Sequence, residues 1–117
     1  MELSTHDVEQ FRQRGYCVRP GFFDRAGIKK MSDWLDSLQT APPREGAEAC
    51  YYERSPVTGD GMLVRVEHIL GDHNPEMTRL MLAPKVLEAL SSLFGETPVL
   101  FKEKVNYKLP GCRADKL

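Results

Sequence analysis

Apolar residues recur along the chain in two rhythms, a spacing of three to four and a spacing of two, and the changes between them divide it into elements. Val8 and Phe11 form the stripe of a first helix, which Ser4 or Thr5 caps. Asp7 and Glu9 sit in its first turn, where negative charge suits the helix dipole, and Gly15 ends it. Residues 16–19, Tyr-Cys-Val-Arg, read as a short strand closed by a turn at Pro20 and Gly21. Asp24 is placed to cap a second helix, in which Ile28, Met31, Trp34 or Leu35, and Leu38 fall at the spacing of a buried stripe. Ala41, Pro42 and Pro43 stop it. The stretch from there to Ala49 is rich in Gly, Glu and Ala without periodicity, which predicts a mobile surface loop. Residues 51–54 and 62–69 are predicted strands of a hairpin, joined by the turn-rich Ser-Pro-Val-Thr-Gly-Asp-Gly. A further helix opens at Asp72-His-Asn-Pro75 and carries Met77, Leu80 and Met81. Ala83 and Pro84 break or restart it, and Val86, Leu87, Leu90, Leu93 and Phe94 continue the stripe to Gly95.

The last predicted element is a strand over residues 98–109. Alternation sets Val99, Phe101, Val105, Tyr107 and Leu109 on one face and Lys102, Lys104, Asn106 and Lys108 on the other. Amines about 7 Å apart along such a strand suit a small dianion such as a keto-diacid. A half-exposed strand with solvated lysines has the same pattern.

Composition narrows the classes. At 117 residues, the chain is one small domain or part of a larger one, residues 1–117 forming a single unit in either case. With 41% hydrophobic and 28% charged residues it reads as folded. A net charge of −1, with no window of clustered Lys and Arg, predicts no nucleic-acid partner. No apolar run approaches the roughly 20 residues a membrane span needs, and the acidic start Met-Glu-Leu-Ser-Thr-His-Asp is unlike a signal peptide, which predicts a cytoplasmic protein without a membrane partner. Cys17, Cys50 and Cys112 are odd in number and far apart, so reduced thiols are expected, Cys112 in a loop.

Conventional site signatures are missing. Glu67 and His68 are adjacent and point to opposite faces of a strand, which separates them as metal ligands; His73 reads as a loop or capping residue. Asp33 and Asp36 lie on a helix face turned away from the apolar stripe. Gly59 and Gly61 precede a strand, not the helix that a phosphate loop requires.

Several short motifs nevertheless occur in one order: Phe11-Arg-Gln-Arg-Gly-Tyr-Cys-Val18, Phe23-Asp24 before the second helix, Leu93-Phe94-Gly95, and Asn106-Tyr-Lys-Leu-Pro-Gly111. Together they resemble the N-terminal portion of the phytanoyl-CoA dioxygenase family, over nearly the whole chain. The resemblance implies an α+β arrangement, with N-terminal helices and the first strands of a double-stranded β-helix, or jelly roll. It also implies Fe(II) and 2-oxoglutarate as cofactors. In that family a His-x-Asp and a distant His hold the iron with positions left open, the facial-triad geometry. Neither part is found here, since no Asp or Glu stands two residues after His6, His68 or His73. An eight-stranded jelly roll is not completed by the strand candidates present.

The resemblance assigns cofactor-binding roles to Arg65, Lys104 and Lys108. Arg65 and Lys104 would reach the 2-oxoglutarate carboxylate through charge-assisted hydrogen bonds, and Lys108 precedes the Pro-Gly turn. Against this stand a surface ion pair for Arg65 and solvation for the lysines. No catalytic or metal-binding residue is assigned. Two readings follow. In one, the chain is the N-terminal part of a dioxygenase, inactive alone, that hydroxylates a small-molecule substrate once completed by a C-terminal half or second chain. Halogenation, desaturation and rearrangement are variants of that chemistry. In the other, it is a non-catalytic module binding a partner or small acid, and an unpaired final strand would then be an exposed edge.

Overall fold

Side-chain chemistry at the helix ends accounts for where most helices begin and stop. The computed structural model describes residues 2–42 and 44–110, so Pro43, Gly111 and Cys112 lie outside the described residues. Helix α1 (Thr5–Arg14) starts at Ser4, whose hydroxyl accepts the Asp7 N–H at 3.1 Å while the Asp7 carboxylate accepts the Ser4 N–H at 2.8 Å. It stops at Gly15, which takes a left-handed φ of 82°. Helix α2 (Arg25–Thr40) starts at Asp24, which accepts the Gly27 N–H at 2.7 Å, and ends at Ala41. Helices α3 (Pro75–Met81) and α4 (Pro84–Phe94) each begin with a proline, whose missing N–H costs nothing in the first turn. Helix α1 packs on α4, and α2 on α3.

Three antiparallel strands, β1 (Ala49–Arg54), β2 (Gly61–Glu67) and β3 (Lys104–Asn106), form a sheet in the order β1-β2-β3. The fold is therefore mixed helix and sheet. The hairpin turn is tied by Ser55, whose hydroxyl accepts the N–H groups of Val57 and Thr58 at 3.2 Å. Tyr51 opposes Arg65 while Tyr52 opposes Leu63, so Val64 is an extra residue on β2. This bulge breaks the alternation and lets Leu63 and Val64 be buried consecutively.

Cys50, Val66 and Val105 oppose one another across the three strands and face the helices. The core joins Leu63, Val66, Ile69 and Met77 to Met31, Trp34 and Leu38 of α2 and Met81 of α3. Tyr107, just past β3, packs against the same cluster, and its hydroxyl donates to the Leu35 carbonyl at 2.9 Å. Burial, with smaller contributions from Asp36 and Cys50, pushes its phenol up to about 12.

Two expectations are corrected and a third holds in part. Residues 16–19 form no strand, since no neighbouring strand takes up their backbone groups, and Tyr16 and Val18 are exposed. The final strand contracts from residues 98–109 to Lys104–Asn106, where β2 lies alongside; Val99 and Phe101 are 88% and 91% exposed. The segment before Ala49 is exposed at residues 41, 42 and 44–46, as expected of a surface loop, but its end is anchored. The Glu48 side chain is only 3% exposed, paired with the Arg44 guanidinium and accepting from Asn74 Nδ2 at 2.8 Å. Asn74 in turn donates to the Ile69 carbonyl at 2.7 Å and accepts from Trp34 Nε1 at 3.3 Å, so one buried amide joins this segment to α2 and the start of α3.

Burial opposes ionisation of Glu48, but the hydrogen bonds from Arg44 and Asn74 outweigh it and hold the carboxyl below the usual carboxylate range. A carboxyl with a lowered folded pKa adds stability that is fully present above its unfolded value, about 4.3, and is lost as pH falls through the folded value. Glu48→Ala should lower stability at pH 7 by about 2 kcal/mol, the size of a charge-assisted hydrogen bond. Thermal unfolding should also show the native chain losing stability more steeply than Glu48→Gln below about pH 4.

Candidate functional site

The strand register decides which of the charged residues meet. On β2, Arg65 is opposed by Tyr51 of β1 and Asn106 of β3, and Glu67 is opposed by Ala49 and Lys104. Directly opposed residues share a face, so Tyr51, Arg65, Glu67, Lys104 and Asn106 project from the side away from the helices. Arg65 and Lys104 thus come together on adjacent strands. Lys108 does not join them in the sheet: it is exposed and lies two residues beyond β3. The two-faced pattern along this segment is present, with residues 103, 105, 107 and 109 partly buried and Lys102, Lys104, Asn106 and Lys108 exposed.

Arg65 lies over the ring of its cross-strand neighbour, its guanidinium carbon 4.2 Å from the centre of the Tyr51 ring. Its Nε is 3.4 Å from Glu67 Oε1, near enough for Coulomb attraction but without a hydrogen bond. Nε is buried and is the one buried side-chain polar atom among the described residues with no hydrogen-bond partner. A buried donor left unpaired costs about 1–3 kcal/mol. Glu67 is also held by Tyr51, whose hydroxyl donates to Oε2 at 3.3 Å. Arg65 and Glu67 are both 26% exposed, so the pair is partly desolvated. The ion pair foreseen as the alternative for Arg65 is present, but it leaves the guanidinium incompletely satisfied.

Sequence reasoning missed Glu103. Its Oε1 accepts the N–H groups of Ile69 at 2.7 Å and Leu70 at 3.0 Å, fastening the start of β3 to the chain leaving β2. The signal was its position: a carboxylate in the inward phase of an otherwise apolar alternation needs buried donors. The histidines contact other groups. His68 follows β2 with a φ of 57° and its carbonyl accepts from His73 Nε2 at 2.7 Å, while His6 contacts Gln10. Among the described residues, no three His, Cys, Asp or Glu side chains are grouped to hold a metal ion. The described residues therefore do not fit an iron centre. No described helix is long and apolar enough to cross a membrane.

Comparison with characterised proteins gives three informative matches. The chain is 32% identical over 102 residues to a 2-aminoethylphosphonate dioxygenase of an uncultured bacterium, covering 87% of this chain and 38% of the relative. It is 28% identical over 110 residues to a methylphosphonate hydroxylase of Gimesia maris, covering 93% and 41%. It is 30% identical over 113 residues to the dioxygenase lolE1 of Epichloe uncinata, covering 93% and 42%. The chain thus spans about two fifths of the length of these relatives. No family model and no solved structure matches it. The relatives support a dioxygenase family and do not single out the phytanoyl-CoA dioxygenases.

Because Glu103 holds two backbone donors at the root of β3, Glu103→Ala should leave both unpaired and destabilise the chain by about 2 kcal/mol. Hydrogen exchange should show the loss first at Ile69, Leu70 and the β2–β3 ladder, including the Tyr107 N–H that bonds the Val64 carbonyl. Unchanged protection there would show that Glu103 does not fasten the strand.

Proposed function

We propose that this chain forms the helical support and first strands of an Fe(II)- and 2-oxoglutarate-dependent dioxygenase of the phytanoyl-CoA dioxygenase type, working in the cytoplasm on a small molecule. The observation that carries the proposal is the shared face of Arg65 and Lys104, two cations on adjacent strands with a buried guanidinium donor left free. Such a face suits a dicarboxylate, with Arg65 as a planar fork and Lys104 as a point charge. Lys108, outside the sheet pairing, is assigned a lesser part. The names of two relatives support a small organophosphonate as the substrate.

The described residues hold and orient the anionic cosubstrate in this reading; iron ligands come from elsewhere in the completed protein. Exposed Val99 and Phe101, flanking a strand of three residues, support further strands in the same chain or a second one lying against them. A jelly-roll arrangement would cover that surface and desolvate the Arg65 face, strengthening its grip on a carboxylate.

The test is turnover of an organophosphonate with Fe(II) and 2-oxoglutarate by a protein carrying this chain joined to the remaining length of its relatives. Arg65→Ala and Lys104→Ala should each raise KM for 2-oxoglutarate by about tenfold, with a smaller effect on KM for the phosphonate. If both variants keep the native KM for 2-oxoglutarate, this face does not bind it. Binding of 2-oxoglutarate without turnover of any substrate would instead favour the non-catalytic module.

A further inference from the structure

We propose that Glu67 is a built-in competitor for the anion site: its carboxylate occupies Arg65 in the empty state, and an incoming small dianion displaces it. This deepens the reading of Arg65 and Lys104 given above and rests on it. Three observations carry it. Glu67 ends β2 between the two cations, two residues along the strand from Arg65 and directly opposed by Lys104. Its contact with Arg65 is of the kind that exchanges easily, a 3.4 Å approach in which Nε donates no hydrogen bond. Its second tether is a long 3.3 Å bond from the Tyr51 hydroxyl.

The consequences follow from Coulomb's law and hydrogen-bond geometry. A ligand carboxylate or phosphonate that reaches Nε directly gains the hydrogen bond that Glu67 does not make. It must, however, overcome the charge of Glu67, so the native face binds anions more weakly than its cations alone would. Tyr51 has a double part. Its ring fixes the guanidinium plane by stacking, and its hydroxyl gives Glu67 a place to rest when it leaves Arg65. Glu67 and Tyr51 are therefore specificity-determining residues: a monoanion would gain little from replacing one carboxylate with another, whereas a dianion also engages Lys104.

Calorimetric titration of a protein carrying this chain joined to the remaining length of its relatives, with 2-oxoglutarate and in a second arm with methylphosphonate, tests this. Glu67→Gln should tighten binding of whichever dianion the native chain prefers by about fivefold, the scale of a partly exposed ion pair. Tyr51→Phe, which keeps the ring and removes the tether, should change affinity less than Glu67→Gln. Arg65→Ala should weaken binding by about tenfold in both the native and the Glu67→Gln backgrounds. Circular dichroism establishes that each variant is folded, and Glu67→Asp serves if Glu67→Gln is not, with affinity expected between native and Gln. The preferred arm tells dicarboxylate from phosphonate. If Glu67→Gln and Arg65→Ala both weaken binding, Glu67 orients the ligand and the competitor proposal is overturned, leaving the Arg65 reading intact. If neither anion binds the native chain or Glu67→Gln, both are overturned.

Discussion

The structure depends on β2 being paired along both of its edges. That one strand carries Val66, which is fully buried among the helices, and on the opposite side Arg65 and Glu67. Because side chains alternate along a strand, the burial that fixes Val66 against Cys50 and Val105 also fixes the direction in which Arg65 points. A slip of one residue would place the guanidinium in the core and a valine on the charged face. Hydrophobic packing on one side thus sets the electrostatic layout on the other.

Polar anchors do the positioning that apolar burial cannot. Asn74 is buried where β2's exit, α2 and the segment before β1 converge, and each of its side-chain groups has partners in those elements. Glu103 does the same for β3, a strand of only three residues that would be weakly held by its own ladder. Such groups are costly to bury alone and specific once paired, so they select one arrangement of elements that hydrophobic contact would leave loosely defined. Lys104 follows Glu103 directly; the placement of a candidate ligand-binding cation therefore depends on a partly buried carboxylate that ties β3 to the chain leaving β2.

Much of this was legible in the sequence where a local rule governs. Ser4, Asp24, Gly15 and Gly95 announce helix ends because capping is settled within a few residues. The hairpin and the two-faced pattern around Val105 could be read for the same reason. What could not be read depends on partners distant in sequence. The pattern at residues 16–19 resembles a strand but nothing pairs with it, and the Val64 bulge depends on how β1 meets β2. Glu48 and Asn74, 26 positions apart, anchor the end of an exposed loop with a buried clasp. In the candidate site, Arg65 and Lys104 were put forward by resemblance alone, whereas their shared face required the register. Glu67 and Tyr51, which surround Arg65, carry no motif at all.

In the proposed reading, the face of Tyr51, Arg65, Glu67, Lys104 and Asn106 receives a small dianion. Residue-by-residue NMR of the isotopically labelled chain during titration with 2-oxoglutarate tests it most directly. The account predicts saturable shifts concentrated at Arg65, including its Nε–H, and at Tyr51, Lys104 and Asn106, with Cys50 and Val66 on the opposite face little changed. Shifts confined to the opposite face, or scattered over surface lysines without saturation, would contradict it.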